Sequence, residues 1–397
     1  MSTGPRPTVV RYWGSYVKSP AQAERLAGYF TAVASAGWRS VLVCCQPPSH
    51  EEWLRPLSDM GVEIRYLPRA RGNFDWRCIR RTRRLCADVR PDVMHCDNTH
   101  TSPLIGAWMA GVPVRLWTKH AMQPAYEAMR MPTLHDRLAP SVRLSAWAAT
   151  GVLPISRAIA VELRALGLPA RKLREMSLPQ AAPAPTVDRA TARARFDCLP
   201  GDFVIGTIGR AIAVKGWDVL LSAFAEVRPR LPAARLLLVG SSSAADERDC
   251  RSILDRMVIA RGLEGAVIWT GHLTDPFIAL RAMDLFVLPS RSEGFSLALI
   301  EALAAGVPAV STRVGIAPDV ITDGENGLLV DRNDVAALAA ALLAVGGNPE
   351  RRFRMSAAAA MPLRGVPTPA EHAAALLGLY EELLSRRGGS DRRRPPV

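Results

Sequence analysis

Residues 291–301, Arg-Ser-Glu-Gly-Phe-Ser-Leu-Ala-Leu-Ile-Glu, set two carboxylates around what reads as one helix start. They follow the apolar run Leu285-Phe-Val-Leu-Pro-Ser290, a buried-strand pattern. The order predicts a strand end, a tight loop holding Glu293, and a helix opening at about Phe295 with Glu301 inside it. The first N–H groups of a helix lack intrahelical partners and carry partial positive charge, which suits a phosphate. Glu301 falls about 9 Å along from Phe295 at ~1.5 Å per residue, within reach of whatever extends from that phosphate. Each carboxylate accepts two hydroxyl hydrogen bonds, so the pair suits a phosphorylated sugar.

Upstream, Gly206-Thr-Ile-Gly-Arg210 ends another strand pattern, and Lys215-Gly-Trp-Asp218 opens a helical one. Two cations five residues apart beside a glycine turn can clamp a diphosphate, Arg as a bidentate fork and Lys as a point charge. Taken alone, the same residues also describe a plain surface pair. Glu293 and Glu301 alone would equally describe a solvated loop and a helix face.

Further pieces stand in fixed order around these: Leu237-Leu-Val-Gly240, Ala302-Leu-Ala-Ala-Gly-Val-Pro-Ala-Val310, Val314-Gly-Ile-Ala-Pro-Asp-Val320 and Asp323-Gly-Glu-Asn-Gly-Leu-Leu-Val330. With the Glu-x7-Glu spacing, this ordered set resembles the family 4 glycosyltransferases. The resemblance implies a retaining, nucleotide-sugar-dependent transferase of GT-B architecture. That architecture is α/β: two Rossmann-like domains facing each other across a cleft, with a C-terminal helix crossing back to the first domain. Residue by residue, it implies that Arg210 and Lys215 hold the donor diphosphate and stabilise the departing nucleotide. Glu301 matches the glutamate that binds the ribose hydroxyls, and Glu293 the one near the donor-sugar hydroxyls. Backbone N–H groups of Gly294, Phe295, Ser296 and Leu297 would meet the sugar and phosphates.

His120, in Trp117-Thr-Lys-His-Ala121 after a first-half strand, resembles the family histidine near the reacting sugar; a lone histidine is also commonly structural. The expected catalytic set is therefore His120, Glu293, Arg210 and Lys215. Gly14, in Tyr12-Trp-Gly-Ser-Tyr16, sits where relatives carry two adjacent glycines for close approach to phosphate and acceptor. Four departures accompany the match. His95 is followed by Asp97 rather than completing a His-x-His pair, and reads as structural. Met176-Ser-Leu-Pro-Gln180 replaces an Asn-Gly turn, three serines follow Gly240, and Ile316 occupies a common glycine position.

Residues 8–120 alternate short apolar runs with amphipathic segments such as 21–36 and 76–90, the pattern of a parallel sheet covered on both faces. A second alternation begins at Phe203. The expected organisation is an acceptor-side domain over 1–180 and a linker over 181–198 containing Pro183 and Pro185. A nucleotide-sugar-binding domain follows over 199–368, then a crossover helix over 369–387 and a disordered basic tail over 388–397.

The 397 residues are 49% hydrophobic, enough to give each of two or three domains a core. No apolar run reaches the ~18 residues of a spanning helix, and the start shows no cleavable apolar region, so a cytoplasmic location is expected. Seven scattered cysteines without ligand spacing argue for reduced thiols. Residues 1–180 hold 25 Lys and Arg against 13 Asp and Glu, whereas 181–397 hold 25 against 24. The first half therefore faces something anionic, or reflects an arginine-rich composition, since only four of the 50 basic residues are lysine. The run Arg77-Cys-Ile-Arg-Arg-Thr-Arg-Arg84 reads as a solvated helix face, or as a contact for anionic lipid head groups or a pyrophosphate-linked acceptor. The latter would place the protein peripherally at the inner face of the plasma membrane.

There is no P-loop, no GxGxxG and no nucleic-acid-binding signature, so no nucleic-acid partner is expected. The absence of an Asp-x-Asp pair predicts metal independence, with no cofactor beyond the nucleotide sugar as co-substrate. The expected function is sugar transfer to an acceptor hydroxyl in cell-surface polysaccharide or lipid-linked glycan assembly. Three alternatives remain at this level: decoration of a small natural product, a sugar-nucleotide epimerase, and a non-catalytic nucleotide-sugar-binding protein.

Overall fold

The computed structural model describes residues 6–13, 20–47, 51–72, 74–97, 101–122, 133, 138–180, 187–241 and 249–391. Gly14, 181–186 of the expected linker and 392–397 of the tail lie outside the described residues. The chain divides into two compact units, one formed by Met1–Ala121, Thr133–Pro179 and Pro367–Val397, the other by Met122–Pro132 and Gln180–Val366.

The first unit holds six parallel strands: β1 (Thr8–Tyr12), β2 (Arg39–Cys44), β3 (Glu63–Tyr66), β4 (Val93–Cys96), β5 (Val114–Lys119) and β6 (Gly151–Pro154). Their order is β3-β2-β1-β4-β5-β6, with Val10 facing Val41 on one side and Met94 on the other. β1, β4, β5 and β6 are buried along their whole length, which favours apolar runs; the polar side chains among them are held by partners, as Arg11 is by Asp97 and His95 by Tyr380 and Thr118. The order reverses between β1 and β4, so their C-terminal ends open a crevice suited to a ligand.

Helix Pro20–Ser35 and the final helix, Pro369–Asp391, pack together in this unit. Phe30, Val33, Leu376 and Tyr380 join Leu42, Leu116 and Leu153 in one core. The final helix runs to Asp391, four residues beyond Arg387, through Gly388 and Gly389 despite their helix cost of about 1 kcal/mol each. Helix Trp76–Val89 starts where Asp75 accepts from the N–H groups of Arg77 and Cys78, at 2.9 and 3.3 Å. It ends at Arg90, whose φ of +50° is left-handed. Ile79, Thr82, Leu85 and Val89 form its buried side. At Gly106 of the neighbouring helix Ser102–Met109, a Cβ would stand 2.7 Å from the Ile79 carbonyl, so the contact requires glycine.

The second unit repeats the plan with β7 (Phe203–Ile208), β8 (Ala234–Val239), β9 (Val267–Gly271), β10 (Leu285–Leu288), β11 (Ala309–Thr312) and β12 (Gly327–Val330). The order β12-β11-β10-β7-β8-β9 again reverses next to the first strand, here between β7 and β10. Phe224, Leu236, Leu238, Val287, Val310 and Leu342 anchor its core. Part of the expected linker is ordered into this unit. Helix Arg189–Ala194 is capped by Asp188, which accepts from Thr191 N at 2.8 Å, and Arg189 and Arg193 reach Asp284 at 2.7 and 2.6 Å.

Candidate functional site

In the second unit, β7 and β10 deliver the charged residues to one place. After β7, Gly209 lies against Gly240 so tightly that a Cβ on Gly240 would stand 1.6 Å from the Gly209 carbonyl oxygen. Arg210 follows, exposed at the strand end. The chain makes a short turn, Ala213–Lys215, closed by Gly216 at φ +66°. A Cβ on Gly216 would meet the Pro289 carbonyl oxygen at 2.0 Å, so this turn sits directly on the end of β10.

That approach carries Lys215 to Glu293. The Lys215 ammonium donates to Glu293 Oε1 at 2.7 Å, and Ser290 Oγ donates to the same oxygen at 2.7 Å. Their side chains keep 22% and 10% of their exposure, so the pair is partly shielded yet reachable by a ligand. Arg291 locks the arrangement from behind. Its N–H donates to the Val214 carbonyl at 2.8 Å, and its guanidinium to the Ala213 carbonyl at 2.6 Å and to both Asp218 oxygens at 2.8 and 2.6 Å. Burial alone would raise the Asp218 pKa, but this bidentate pairing outweighs it and holds the carboxyl below its ordinary value.

The helix after the loop begins at Leu297, two residues later than the sequence spacing predicts. Phe295 is buried and its carbonyl accepts from Ile316 N at 3.1 Å, which holds it outside the helix. Ser296 then turns the chain at φ +87°, a sparsely populated conformation for a residue with a Cβ. Glu301 thus lies about 6 Å along the helix from its start, at ~1.5 Å per residue, and is largely buried. Gly315 backs the loop: at φ +54°, a Cβ there would stand 2.6 Å from the Phe295 carbonyl oxygen and 2.9 Å from Glu293 Cβ. Ile316, by contrast, has φ −91°, so a second glycine is not required.

In the first unit, the ends of β1, β4 and β5 carry a different arrangement. Arg11 Nε donates to Asp97 Oδ2, and its Nη2 to Oδ1 at 2.9 Å, with the guanidinium 4.5 Å over the Tyr29 ring. Burial would raise the Asp97 pKa, yet the Arg11 charge, with the hydrogen bond from His120, drives it well below the carboxylate range. His120 Nε2 lies 3.2 Å from Asp97 Oδ1 and keeps about a third of its exposure. His95 is sealed: Nδ1 is 2.6 Å from the Tyr380 hydroxyl and Nε2 is 2.6 Å from Thr118 Oγ1. Burial pushes its pKa well below normal, so it is a neutral, structural imidazole.

The family description "Glycosyl transferases group 1" matches residues 202–348, and "Glycosyl transferase 4-like domain" matches 21–178. The chain belongs to the glycosyltransferases. It is 37% identical over 147 residues to D-inositol 3-phosphate glycosyltransferase of Segniliparus rotundus, covering 36% of this chain and 32% of that protein. It is 30% identical over 205 residues to the lipopolysaccharide core biosynthesis mannosyltransferase LpsB of Rhizobium meliloti, covering 50% and 57%. The matched region thus spans from about a third to a little over half of these two curated relatives. In fold, it resembles Anabaena Alr3699/HepE, solved in complex with UDP and glucose, with TM-score 0.76 and 17% identity over 94% of this chain and 99% of that one. Two parallel six-stranded α/β sheets of this kind are those of GT-B glycosyltransferases.

Lys215, Glu293, Gly294, Phe295, Ser296 and Leu297 share one loop cluster, with Arg210 at the neighbouring strand end and Glu301 in the following helix. Gly14 lies outside the described residues. Sequence reasoning missed Arg291, Ser290 and Gly315. Arg291 was legible in principle, because an arginine at a strand end needs a carboxylate and Asp218 stands in the other half of the motif. It also missed the partnership of Arg11 and Asp97. A lone arginine inside the apolar run Thr8-Val-Val-Arg-Tyr12 demands a buried anion, and Asp97 ends the adjacent strand.

Proposed function

We propose that the protein transfers a sugar, with retention at the anomeric carbon, from a nucleotide-diphosphate donor to an acceptor hydroxyl in cell-surface or lipid-linked glycan assembly. The observation that carries this reading is the Lys215–Glu293 pair at the ends of β7 and β10, beside the start of helix Leu297–Ala304. A ligand at a strand-order reversal meets helix amides and strand-end side chains together. An ammonium has three N–H donors, so Lys215 can stay on Glu293 while donating to a phosphate oxygen. Arg210 offers a second, planar contact to the same diphosphate.

The chemical task is to carry the charge that develops on the leaving nucleotide. Fixed donors aimed at that charge need no reorganisation during reaction, and removing one such donor typically costs about 10²–10³ in rate. Glu301 would accept from the ribose hydroxyls and Glu293 from the donor sugar. A diphosphate oxygen held on the acceptor's face would take the acceptor proton. His120, the accessible imidazole among the described residues of the first unit, would contact the sugar substrate. With Arg210 and Lys215 supplying the positive charge, no divalent metal is needed for turnover. The names of the relatives, an inositol-phosphate and a lipopolysaccharide-core transferase, support the acceptor class, and the UDP in the HepE structure supports the donor class.

The test is a thermal-shift screen against UDP- and GDP-sugars, followed by transfer assays on the donor that responds. One donor should raise the melting temperature, Glu301→Ala should weaken its binding, the product should keep the donor's anomeric configuration, and excess EDTA should leave turnover unchanged. No response to any nucleotide sugar would overturn the reading. Activity lost to EDTA and restored by Mn²⁺ would overturn metal independence alone.

A further inference from the structure

Helix Trp76–Val89 presents a face that the proposed transfer does not use. Arg77, Arg80, Arg81 and Arg84 recur at the i, i+3, i+4, i+7 spacing of one helix stripe, and all four are exposed. Trp76 joins them around a shallow depression. The helix's carboxylates are engaged at its ends: Asp75 caps the first turn and Asp88 faces Arg65 at 3.5 Å. Among the described residues, no ion pair neutralises the four arginines. Such a stripe repels itself and gains from a surface of opposite charge.

Two more observations narrow the partner. Trp76 and Phe74, at the N-terminal end of the stripe, are 55% and 64% exposed. Large aromatic rings beside a basic face suit the head-group region of a bilayer, where an apolar body and a wet surroundings meet. The helix's apolar side is already used, packed on helix Ser102–Met109 with the Ile79 carbonyl against Gly106. The helix therefore cannot roll over and lay its apolar side in lipid. Contact has to come through the arginine stripe, with the aromatic tip reaching the head groups.

We propose that this face docks the protein reversibly on a bilayer surface rich in anionic phospholipid. Nucleic acid fits less well, because the aromatic residues sit at one end of the stripe rather than between the arginines, where bases would stack. The inference is independent of which donor the second unit takes. It requires attachment that weakens with salt, because an electrostatic contact is screened within about a Debye length.

Vesicle flotation of the full chain tests it, comparing phosphatidylcholine alone with phosphatidylcholine plus phosphatidylglycerol. The wild type should float only with the anionic vesicles, and high salt should release it. Each arginine near the surface is worth roughly fivefold in partitioning, so R77Q/R80Q/R81Q/R84Q should lose on the order of several hundred-fold. F74S/W76S should bind more weakly, with the salt dependence retained. All six positions are exposed, so both variants should keep the wild-type melting temperature and nucleotide-sugar response, which separates lost docking from lost folding or donor binding. The proposal fails if the wild type ignores anionic vesicles, or if the four-arginine variant floats as well as wild type. It also fails if a nucleic-acid duplex or inorganic pyrophosphate binds the stripe while anionic vesicles do not.

Discussion

Gly315→Ala is the sharpest probe of the loop proposed to hold the donor. The new Cβ would stand 2.6 Å from the Phe295 carbonyl oxygen and 2.9 Å from Glu293 Cβ, at a backbone φ of +54°. Two costs follow. Holding alanine in the left-handed region costs about 1–2 kcal/mol relative to glycine. Pushing an extra methyl into packed surroundings adds about 1–3 kcal/mol, because the loop has to give way. Gly324→Ala separates them, since Gly324 has φ +87° with nothing within 4 Å of its Cβ position. Chemical denaturation should therefore show both variants destabilised, with Gly315→Ala worse by about 1–3 kcal/mol. Donor binding by calorimetry should fall in Gly315→Ala, because Glu293 and Phe295 are the atoms displaced, and stay at wild-type strength in Gly324→Ala. Equal stability and equal donor affinity for the two would show that Gly315 does not set the loop, and the account of the site would fail with it.

Lys215→Ala should lower kcat/KM for the responding donor by about 10²–10³ if its ammonium stabilises the leaving group. Its melting temperature should fall modestly, since losing one partner of this partly shielded pair costs about 1–3 kcal/mol while Ser290 still donates to Glu293; a pure stability loss with intact turnover would contradict the assignment. Asp97→Ala should cost about 3–5 kcal/mol by leaving the buried Arg11 guanidinium without its carboxylate, readable in urea denaturation. His372 reports on pH. Burial lowers its pKa to about 4, against the Ser177 carbonyl that accepts from Nδ1 at 2.9 Å. A folded value below the unfolded ~6.5 means its stabilisation is complete above pH 6.5 and lost as pH falls toward 4, by about 3 kcal/mol in all. His372→Gln should flatten the stability profile across that window, and an unchanged slope would refute the assignment.

The inner strands of both sheets were legible because they are buried on two faces and read as largely apolar runs, whereas β3, Glu63–Tyr66, is half-buried to exposed. Phe203–Ile208 and Leu285–Leu288 coincide with β7 and β10. β12 was not named as a strand, because Gly327-Leu-Leu-Val330 is a four-residue run opening on glycine, where strand and turn look alike. The helix start at Leu297 was missed by two residues for a reason no local propensity contains. Phe295 is held out of the helix by a backbone bond from Ile316, twenty-one positions on. The ordered helix Arg189–Ala194 in the expected linker depends on Asp284, 95 positions from Arg189 and 91 from Arg193, in the same manner. Residue types marked out the charged loop cluster, but the partner of each charge had to come from the tertiary fold.

The two sheets have the same strand order, and each gathers charge at its reversal point, yet physics gives the two clusters different capacities. In the first unit the Arg11 and Asp97 side chains keep 9% and 1% of their exposure, and Tyr29, His95 and Tyr380 complete a closed network. Opening it would strand charges in a low-dielectric interior, so no ligand can compete for those groups at reasonable cost. Its accessible member at the rim, among the described residues, is His120. In the second unit Lys215 and Glu293 are joined by one oxygen and one nitrogen, at a strand end that solvent reaches. An arriving phosphate can draw on the remaining ammonium protons without breaking that bond, so the cost of entry is small and the Coulombic gain is kept. Tyr380 sits on the final helix and closes the network through His95, so removing the helix should expose Arg11 and Asp97 as well as the apolar core. Helix Pro369–Asp391 is therefore part of the fold of the first unit, and His120 depends on it for its setting.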